Sequence, residues 1–255
     1  MSNKIEGLVP TILVMNDVWY LPYVLESLRG RFERYVIYDA GSEDGTTDII
    51  DWFMNSEDAE FFVRQLPFCL PKVQGCYRNS MMIEARSEWT FMVDGDEIYS
   101  QESLNHLEKE FKAKFPPYHD PNSNHPLKRY GVVKRTEIDR TLLHQYSDTK
   151  THHRLYHRTA LFTGNHPGEA PFYNQKARNE IEIDNVMCYH FHNALRSPLD
   201  TSVPKRVDRK TQGTYHPGEL VPFDLLEALP LLKKPIEAFQ VSPDLEKLQN
   251  AVNQM

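Results

Sequence analysis

The chain has 255 residues, of which 40% are hydrophobic and 25% charged, with a formal net charge of -7 at pH 7. That length and balance supports one large domain with a small appendage, and the negative charge argues against a protein that coats nucleic acid non-specifically. Three cysteines, Cys69, Cys76 and Cys188, are odd in number and form no CxxC pair, which suggests neither a disulfide framework nor a cysteine zinc site and makes a reducing compartment the default.

The opening residues carry no signal-type apolar run, and no later stretch offers the roughly 18 uncharged apolar residues of a membrane span, so the expected location is cytoplasmic. Along the chain, "TILVM" from Thr11 reads as a buried strand, and Leu21, Leu25 and Leu28 then fall on one helical face. The unit repeats. Tyr35 to Tyr38 is a strand, "DAGSEDGT" a turn, and Ile49, Ile50 and Phe53 the apolar face of the next helix. "EFFVRQ" from Glu60 is a third strand. Tyr77, Met81 and Ala85 mark a helix leading into the apolar run Trp89 to Val93. Four β-α units in succession predict a doubly wound, mostly parallel sheet.

Leu104, Leu107 and Phe111 predict a further helix, after which "KFPPYHDPNSNHP" reads as a loop separating this half from a second one of α+β character, with strands at "YGVVKR" and "IEIDNVMCYHF". From Leu199 onward prolines interrupt the pattern. Only "PDLEKLQNAV" reads there as a clear helix, and the tail is expected either to pack on the core or to serve as a partner surface.

The stretch "WTFMVDGDEIYS" places Asp94, Asp96 and Glu97 beyond the carboxyl end of a parallel strand, where open α/β sheets bind ligands; a helix-capping turn is the plain alternative. Gly95 permits close backbone approach and lets Asp94 and Asp96 face the same ligand. Asp96 is read here as an exposed strand-end acid.

In order and spacing, five segments resemble family 2 glycosyltransferases of the GT-A fold. "MNDVWYLPYVLESL" is similar to the family's Asn-Glu opening, "VIYDAGSEDGT" to its "vvDdgStDgT", and "NSMMIEARSEWTFMVDGDE" to its "N.a...a.geWil.lDaDE", with "DGDE" standing at the DXD motif. "HRLYHRTALFTGNHPGE" and "HFHNALRSP" resemble the "RLFr...f.G.vHE" and "l.HysyrS" stretches of the subgroup that builds lipopolysaccharide cores. The resemblance covers about residues 8 to 200. It implies a Rossmann-like, mostly parallel sheet with helices on both faces over residues 1–114, a smaller α+β acceptor-side half over 115–200, and a tail over 201–255.

The resemblance also implies roles. A nucleotide-sugar diphosphate is a dense anion that a divalent ion, Mn²⁺ or Mg²⁺, can hold and discharge with one or two protein carboxylates. Asp96 would ligate the ion directly and Asp94 would contact the ribose or a metal-bound water, with Asp94 also a candidate ligand. His192 would complete the metal shell, His190 being its rival two residues earlier on the same face. Asp39 would bind the base of a uridine donor, or cap its own turn. Arg78 would offset diphosphate charge, or lie on a helix surface; Asn79 would contact the donor. For the base that an inverting transfer needs, Glu169 and His166 compete. Here Pro167 and Gly168 separate a His-Glu pair that the resembling motif keeps adjacent.

Between Lys128 and Arg158 the basic residues Lys128, Arg129, Lys134, Arg135, Arg140, Lys150, Arg154 and Arg158 outnumber the acids, with His144, His152, His153 and His157 among them. This is either a solvated face or a surface for phosphates of the donor or of an anionic hydroxyl acceptor such as a glycan, a lipopolysaccharide core or modified nucleic acid. The expected activity is metal-dependent transfer of a sugar from a UDP-sugar to a hydroxyl. Its rivals are a nucleotidyltransferase of similar fold and a sugar-nucleotide-binding protein with a dead site.

Overall fold

The computed structural model describes residues 4–67, 73–115, 130–139, 143–147, 149–163, 170–171, 180–192, 196–199 and 219–233. The first half forms the predicted units: β1 (Leu8–Val14), α1 (Leu21–Leu28), β2 (Arg34–Asp39), α2 (Thr46–Ser56), β3 (Glu60–Gln65), α3 (Gln74–Glu84) and β4 (Trp89–Asp94). All four strands are parallel, in the order β3-β2-β1-β4. Successive residues of a strand face opposite sides, so Leu8, Ile12, Val14, Tyr35 and Ile37 join the core under α1 and α2, while Val9, Leu13, Val36 and Tyr38 join Met81 and Ala85 of α3. A strand buried on both faces must be apolar almost throughout. That is why "LVPTILV" and "WTFMV" carry no alternation.

The same sheet continues through the second half. Beyond β4 come β8 (Lys150–His157), antiparallel to its neighbours, then β6 (Tyr130–Glu137), β11 (Glu180–His190) parallel to β6, and at the edge β5 (Glu97–Tyr99) antiparallel to β11. The remaining strands are β7 (His144–Tyr146), β9 (Phe162–Thr163), β10 (Ala170–Pro171) and β12 (Leu220–Pro222), paired β9 with β10 and β7 with β12. Helix α4 (Gln101–Lys114) starts at Ser100, whose hydroxyl accepts from the Ser103 amide at 3.1 Å, and lays Leu104, Leu107 and Phe111 against the core below β11.

One connection shapes the whole. Strands β4 and β5 are consecutive in sequence yet four places apart in the sheet. Four strand spacings of about 4.8 Å make roughly 19 Å in a flat sheet, whereas the three steps from Asp94 to Glu97 reach at most about 11 Å. The sheet therefore curls, bringing β5 and β11 back toward the carboxyl end of β4. This α/β architecture, with a parallel half covered on both faces and a mixed half folded over its strand ends, matches the expected class.

Part of the tail belongs to this core. Asp224 caps α5 (Leu225–Ala228) by accepting from the Glu227 amide at 2.9 Å; Leu225, Leu229 and Leu232 are buried in the main cluster, and Phe223 stacks on Tyr189. The predicted helix "PDLEKLQNAV" lies outside the described residues. Among those described, no helix is long and apolar enough to cross a membrane.

Leu229 has 0% exposure. Leu229→Ala is expected to cost about 2–5 kcal/mol of stability, as truncation of a fully buried leucine does, read from the urea midpoint at unchanged slope. A cost below about 1 kcal/mol would mean that the segment is peripheral.

Candidate functional site

The β1–α1 and β2–α2 loops are knitted together by side chains. The amides of Asn16, Asp17 and Val18 donate to Ser42 Oγ (2.9 Å), Thr46 Oγ1 (3.0 Å) and Asp44 Oδ2 (3.2 Å), and the Glu43 amide donates back to Asn16 Oδ1 (2.9 Å). Asp39 accepts from the Ser42 amide at 3.0 Å, from Ser42 Oγ at 2.6 Å and from Thr47 Oγ1 at 2.8 Å. Much of the "DAGSEDGTT" chemistry is thus spent on loop architecture, and the capping role foreseen for Asp39 is present. A carboxylate has about four acceptor positions, so these bonds leave capacity for a donor base.

Against these loops sits the Asp94-Gly95-Asp96 turn. A Cβ on Gly95 would lie 2.7 Å from Asp17 Cγ and closer still to its Oδ2. Gly95 is therefore required by the close approach of the Asp17 side chain. Asp17 itself is buried, with the Met15 amide donating to Oδ2 at 3.0 Å and Arg196 Nη1 at 3.2 Å from Oδ1. Burial outweighs Arg196 and, helped by the nearby Asp96, pushes its pKa up to about 7.

The two aspartates of the motif have different partners. Asp94 binds Arg78 of α3 through one oxygen and Arg154 of β8 through the other, the latter at 2.9 Å. Burial opposes its charge, but the two guanidinium groups hold its carboxyl far below the usual range. Arg78 is thus buried and committed, not a helix-surface arginine. Asp96, read from sequence as exposed, is only 2% exposed: the curl closes over it, and the Phe191 amide donates to its carbonyl at 2.9 Å. Its Oδ1 lies 3.5 Å from His190 Nε2 and its Oδ2 3.5 Å from Arg196 Nη1. Burial again opposes ionisation, and the His190 charge overcomes it.

A chain of contacts links the two. His190 Nδ1 is 3.0 Å from Glu137 Oε1, Arg135 Nη2 is 3.1 Å from the same oxygen, and Arg135 Nη1 is 3.0 Å from His152 Nδ1. His152 Nδ1 lies 3.6 Å from Glu97 Oε1, and Glu97 binds Arg154. Burial favours the neutral ring of His152 and Arg154 and Arg135 reinforce this, so its pKa falls well below the ordinary histidine value; burial pushes Glu97 upward against the pull of Arg154. His190 goes the other way: burial opposes its charge, but Glu137 and Asp96 raise it to about 10. Cys188, buried beside this network with its pKa driven up by burial, is not a reactive thiol.

His192 stacks on His190 with ring centroids 5.1 Å apart. Among the described residues, Asp96, His190 and His192 each present a ligand atom within 4.8 Å of the others. One carboxylate and two imidazoles make a mixed oxygen–nitrogen set, which suits Mn²⁺ better than the strictly oxygen-seeking Mg²⁺. The structure thus joins Asp96 to both histidines that competed in the sequence, and takes Asp94 to arginines instead. Asn79 is turned away from this site: its amide donates to the Phe162 carbonyl at 3.0 Å and accepts from the Phe162 amide at 2.7 Å. Glu169 and His166 lie outside the described residues, as do Lys128, Arg129 and Arg140. Of the basic run, Arg135 and Arg154 belong to the buried network, and Arg158 is exposed.

Sequence reasoning missed Asp17, Glu137 and Arg196, and the buried pairing of Arg154 with Glu97. Asp17 and Arg196 lie inside the quoted segments "MNDV" and "HNALRSP". Glu137 carries no local signal, since only the pairing of β6 with β11 sets it beside His190.

No family model matches the sequence. Over 181 residues the chain is 25% identical to the SPbeta prophage-derived glycosyltransferase SunS of Bacillus subtilis (strain 168) and, to the same extent, to glycosyltransferase SunS of Bacillus phage SPbeta; the match takes in 70% of this chain and 38% of theirs. The chain therefore spans less than half the length of these curated relatives. Among solved structures, S. aureus TarS 1-349 is similar with TM-score 0.44 and 15% identity, covering 72% of this chain and 60% of that one. GalNAc-T7 with UDP, GalNAc and Mn²⁺ gives TM-score 0.37 and 11% identity over 52% of this chain and 24% of that one. Similarity to glycosyltransferases thus extends over most of the sequence.

The Asp17 carboxyl supplies a test of the electrostatics. Its native pKa of about 7 lies above the ordinary 3.8, so the folded state holds a proton that the unfolded chain releases, and this group's contribution to stability falls as pH rises from about 4 to about 7. Asp17→Asn removes that slope. Relative to the natural protein, the variant is expected to gain stability between pH 5 and pH 8, by an amount on the order of a few kcal/mol. Urea denaturation at the two pH values checks it; a difference independent of pH would mean that Asp17 is ionised throughout.

Proposed function

We propose that the chain is the catalytic region of a metal-dependent glycosyltransferase of GT-A type, moving a sugar from a nucleotide-sugar, UDP-linked, to a hydroxyl acceptor with inversion. The observation that carries this reading is the meeting of Asp96, at the carboxyl end of the parallel strands, with His190 and His192 at the end of β11. The likeness to the SunS glycosyltransferases supports it. Mn²⁺ would be held by Asp96, His190 and His192, and would supply charge stabilisation to the departing nucleoside diphosphate.

The other residues divide the remaining work. Asp39 and the knitted loops around it form the floor for the base, with Asp39's spare acceptor capacity suited to a uracil imino group. Asp94, kept ionised between Arg78 and Arg154, serves the ribose, and the Arg78 guanidinium gives the phosphates a fixed positive neighbour. Asn79 acts on the donor indirectly, by tying α3 to β9. The base is Glu169 or His166, on the acceptor side. The acceptor is a hydroxyl on an anionic glycan, lipopolysaccharide core or nucleic acid, attracted by the basic residues around β8.

Asp96→Asn keeps the shape of a side chain that burial makes sensitive, and removes the charge a cation needs. It is expected to lower UDP-sugar turnover by at least about 10³-fold, the order that follows from losing several kcal/mol of charge stabilisation by a metal ion, and to abolish Mn²⁺-dependent binding of UDP in calorimetry. Excess chelator should reproduce the loss in the natural protein. Release of free UDP and sugar from the donor supports a transferase, pyrophosphate release a nucleotidyltransferase, and donor binding without turnover a binding protein. Full activity under chelation would remove the metal from the reading.

A further inference from the structure

Glu137 and His190 are direct partners in the parallel ladder between β6 and β11, and the Ile138 amide donates to the His190 carbonyl at 3.0 Å just beyond them. Side chains at paired positions lie on the same face, so the sheet register itself sets the Glu137 carboxylate against the His190 ring. Oε1 of Glu137 accepts from His190 Nδ1 at 3.0 Å, while the opposite ring nitrogen, Nε2, faces Asp96 Oδ1 at 3.5 Å. Arg135 Nη2, 3.1 Å from the same Oε1, holds the carboxylate in place.

We propose that Glu137 is the positioning residue that makes His190 a metal ligand: by taking the Nδ1–H hydrogen bond it fixes a proton on that nitrogen and leaves Nε2, aimed at the space shared with Asp96 and His192, as the end a cation can claim. A neutral imidazole has one N–H and one lone pair, and the partner of one nitrogen decides which end binds a cation. Among the described residues, the other carboxylate at the ring, Asp96, faces Nε2 and belongs to the cluster itself. Its second strand neighbour, Glu97, is the ladder partner of His190 on β5, but that carboxylate is bound to Arg154. Arg135 has donors only and stays charged, so it can anchor Glu137 without competing for the ring proton. The inference rests on the reading of Asp96, His190 and His192 as a divalent-ion site.

The test uses the full chain and Mn²⁺ alone, followed by electron paramagnetic resonance. Glu137→Gln, similar in shape but uncharged, is expected to weaken Mn²⁺ binding 10- to 100-fold, the usual effect of removing a carboxylate behind a metal-bound histidine. Glu137→Asp should recover part of that loss. Circular dichroism and melting of the metal-free variants establish that they are folded. Should Glu137→Gln fail to fold, the unaltered protein decides: with ¹⁵N-labelled histidine and diamagnetic Zn²⁺, His190 should show its proton on Nδ1, identified by its disappearance in His190→Asn. A proton on Nε2, or Mn²⁺ affinity unchanged in a folded Glu137→Gln, overturns the proposal. No Mn²⁺ binding by the unaltered protein overturns the metal site and the proposal together, a result distinct from unaltered binding in the variant.

Discussion

The buried guanidinium of Arg154 is the pin on which the site turns. It reaches from β8 to Asp94 on one side and Glu97 on the other, inside the curl that the short β4–β5 link imposes on the sheet. Charges removed from water are tolerated only when paired and hydrogen bonded. The buried Glu97 and the half-buried Asp94 next to the strand end share this one arginine from the inserted antiparallel strand. Without Arg154 the curl would close over a Glu97 carboxylate with no paired guanidinium; without the curl Arg154 would have no reason to be buried.

From that pin the charges run outward in alternating sign, through Arg78 beyond Asp94 and through His152, Arg135, Glu137 and His190 to Asp96, with Arg196 and Asp17 at the far end. The alternation explains why neighbouring acids behave differently. Asp94 and Asp96 each face positive partners and stay ionised, while Asp17, as buried as Asp96 but with the acids Asp96 and Asp44 close to it, keeps its proton to about 7. Helix α3 couples this network to β9 with two adjacent residues, Arg78 directed to β4 and Asn79 to the backbone of β9. A shift of α3 would be felt at both.

The parallel half was legible because its signals are local. Unbroken apolar runs, helical spacing of Leu21, Leu25 and Leu28, and the acids after Val93 all act within one or two elements. The metal-type cluster was legible in part: Asp96 stood in a motif, and His190 and His192 were identified as rivals, but a two-residue alternation cannot reveal that stacked rings present both. Glu137 and the buried state of Asp96 were not legible, since each depends on strand pairing across the chain. Arg135 and Arg154 looked like members of a basic surface. Their charge was readable and their burial was not, because burial of an arginine is decided by which acids the fold delivers to it.

The β4–β5 link has a consequence for how the molecule is made. Asp96 emerges early from synthesis, and its histidine partners come much later, after β8, β6 and most of β11 have been laid down. Pairing of β5 with β11 is a contact between distant parts of the chain, and such contacts pay a loop-closure cost before they return any stability. The contact of Asp96 with His190 is therefore expected among the later events of folding. A molecule that holds Asp96 against His190 has brought β11 back to β5, so this contact reports that the curl has closed.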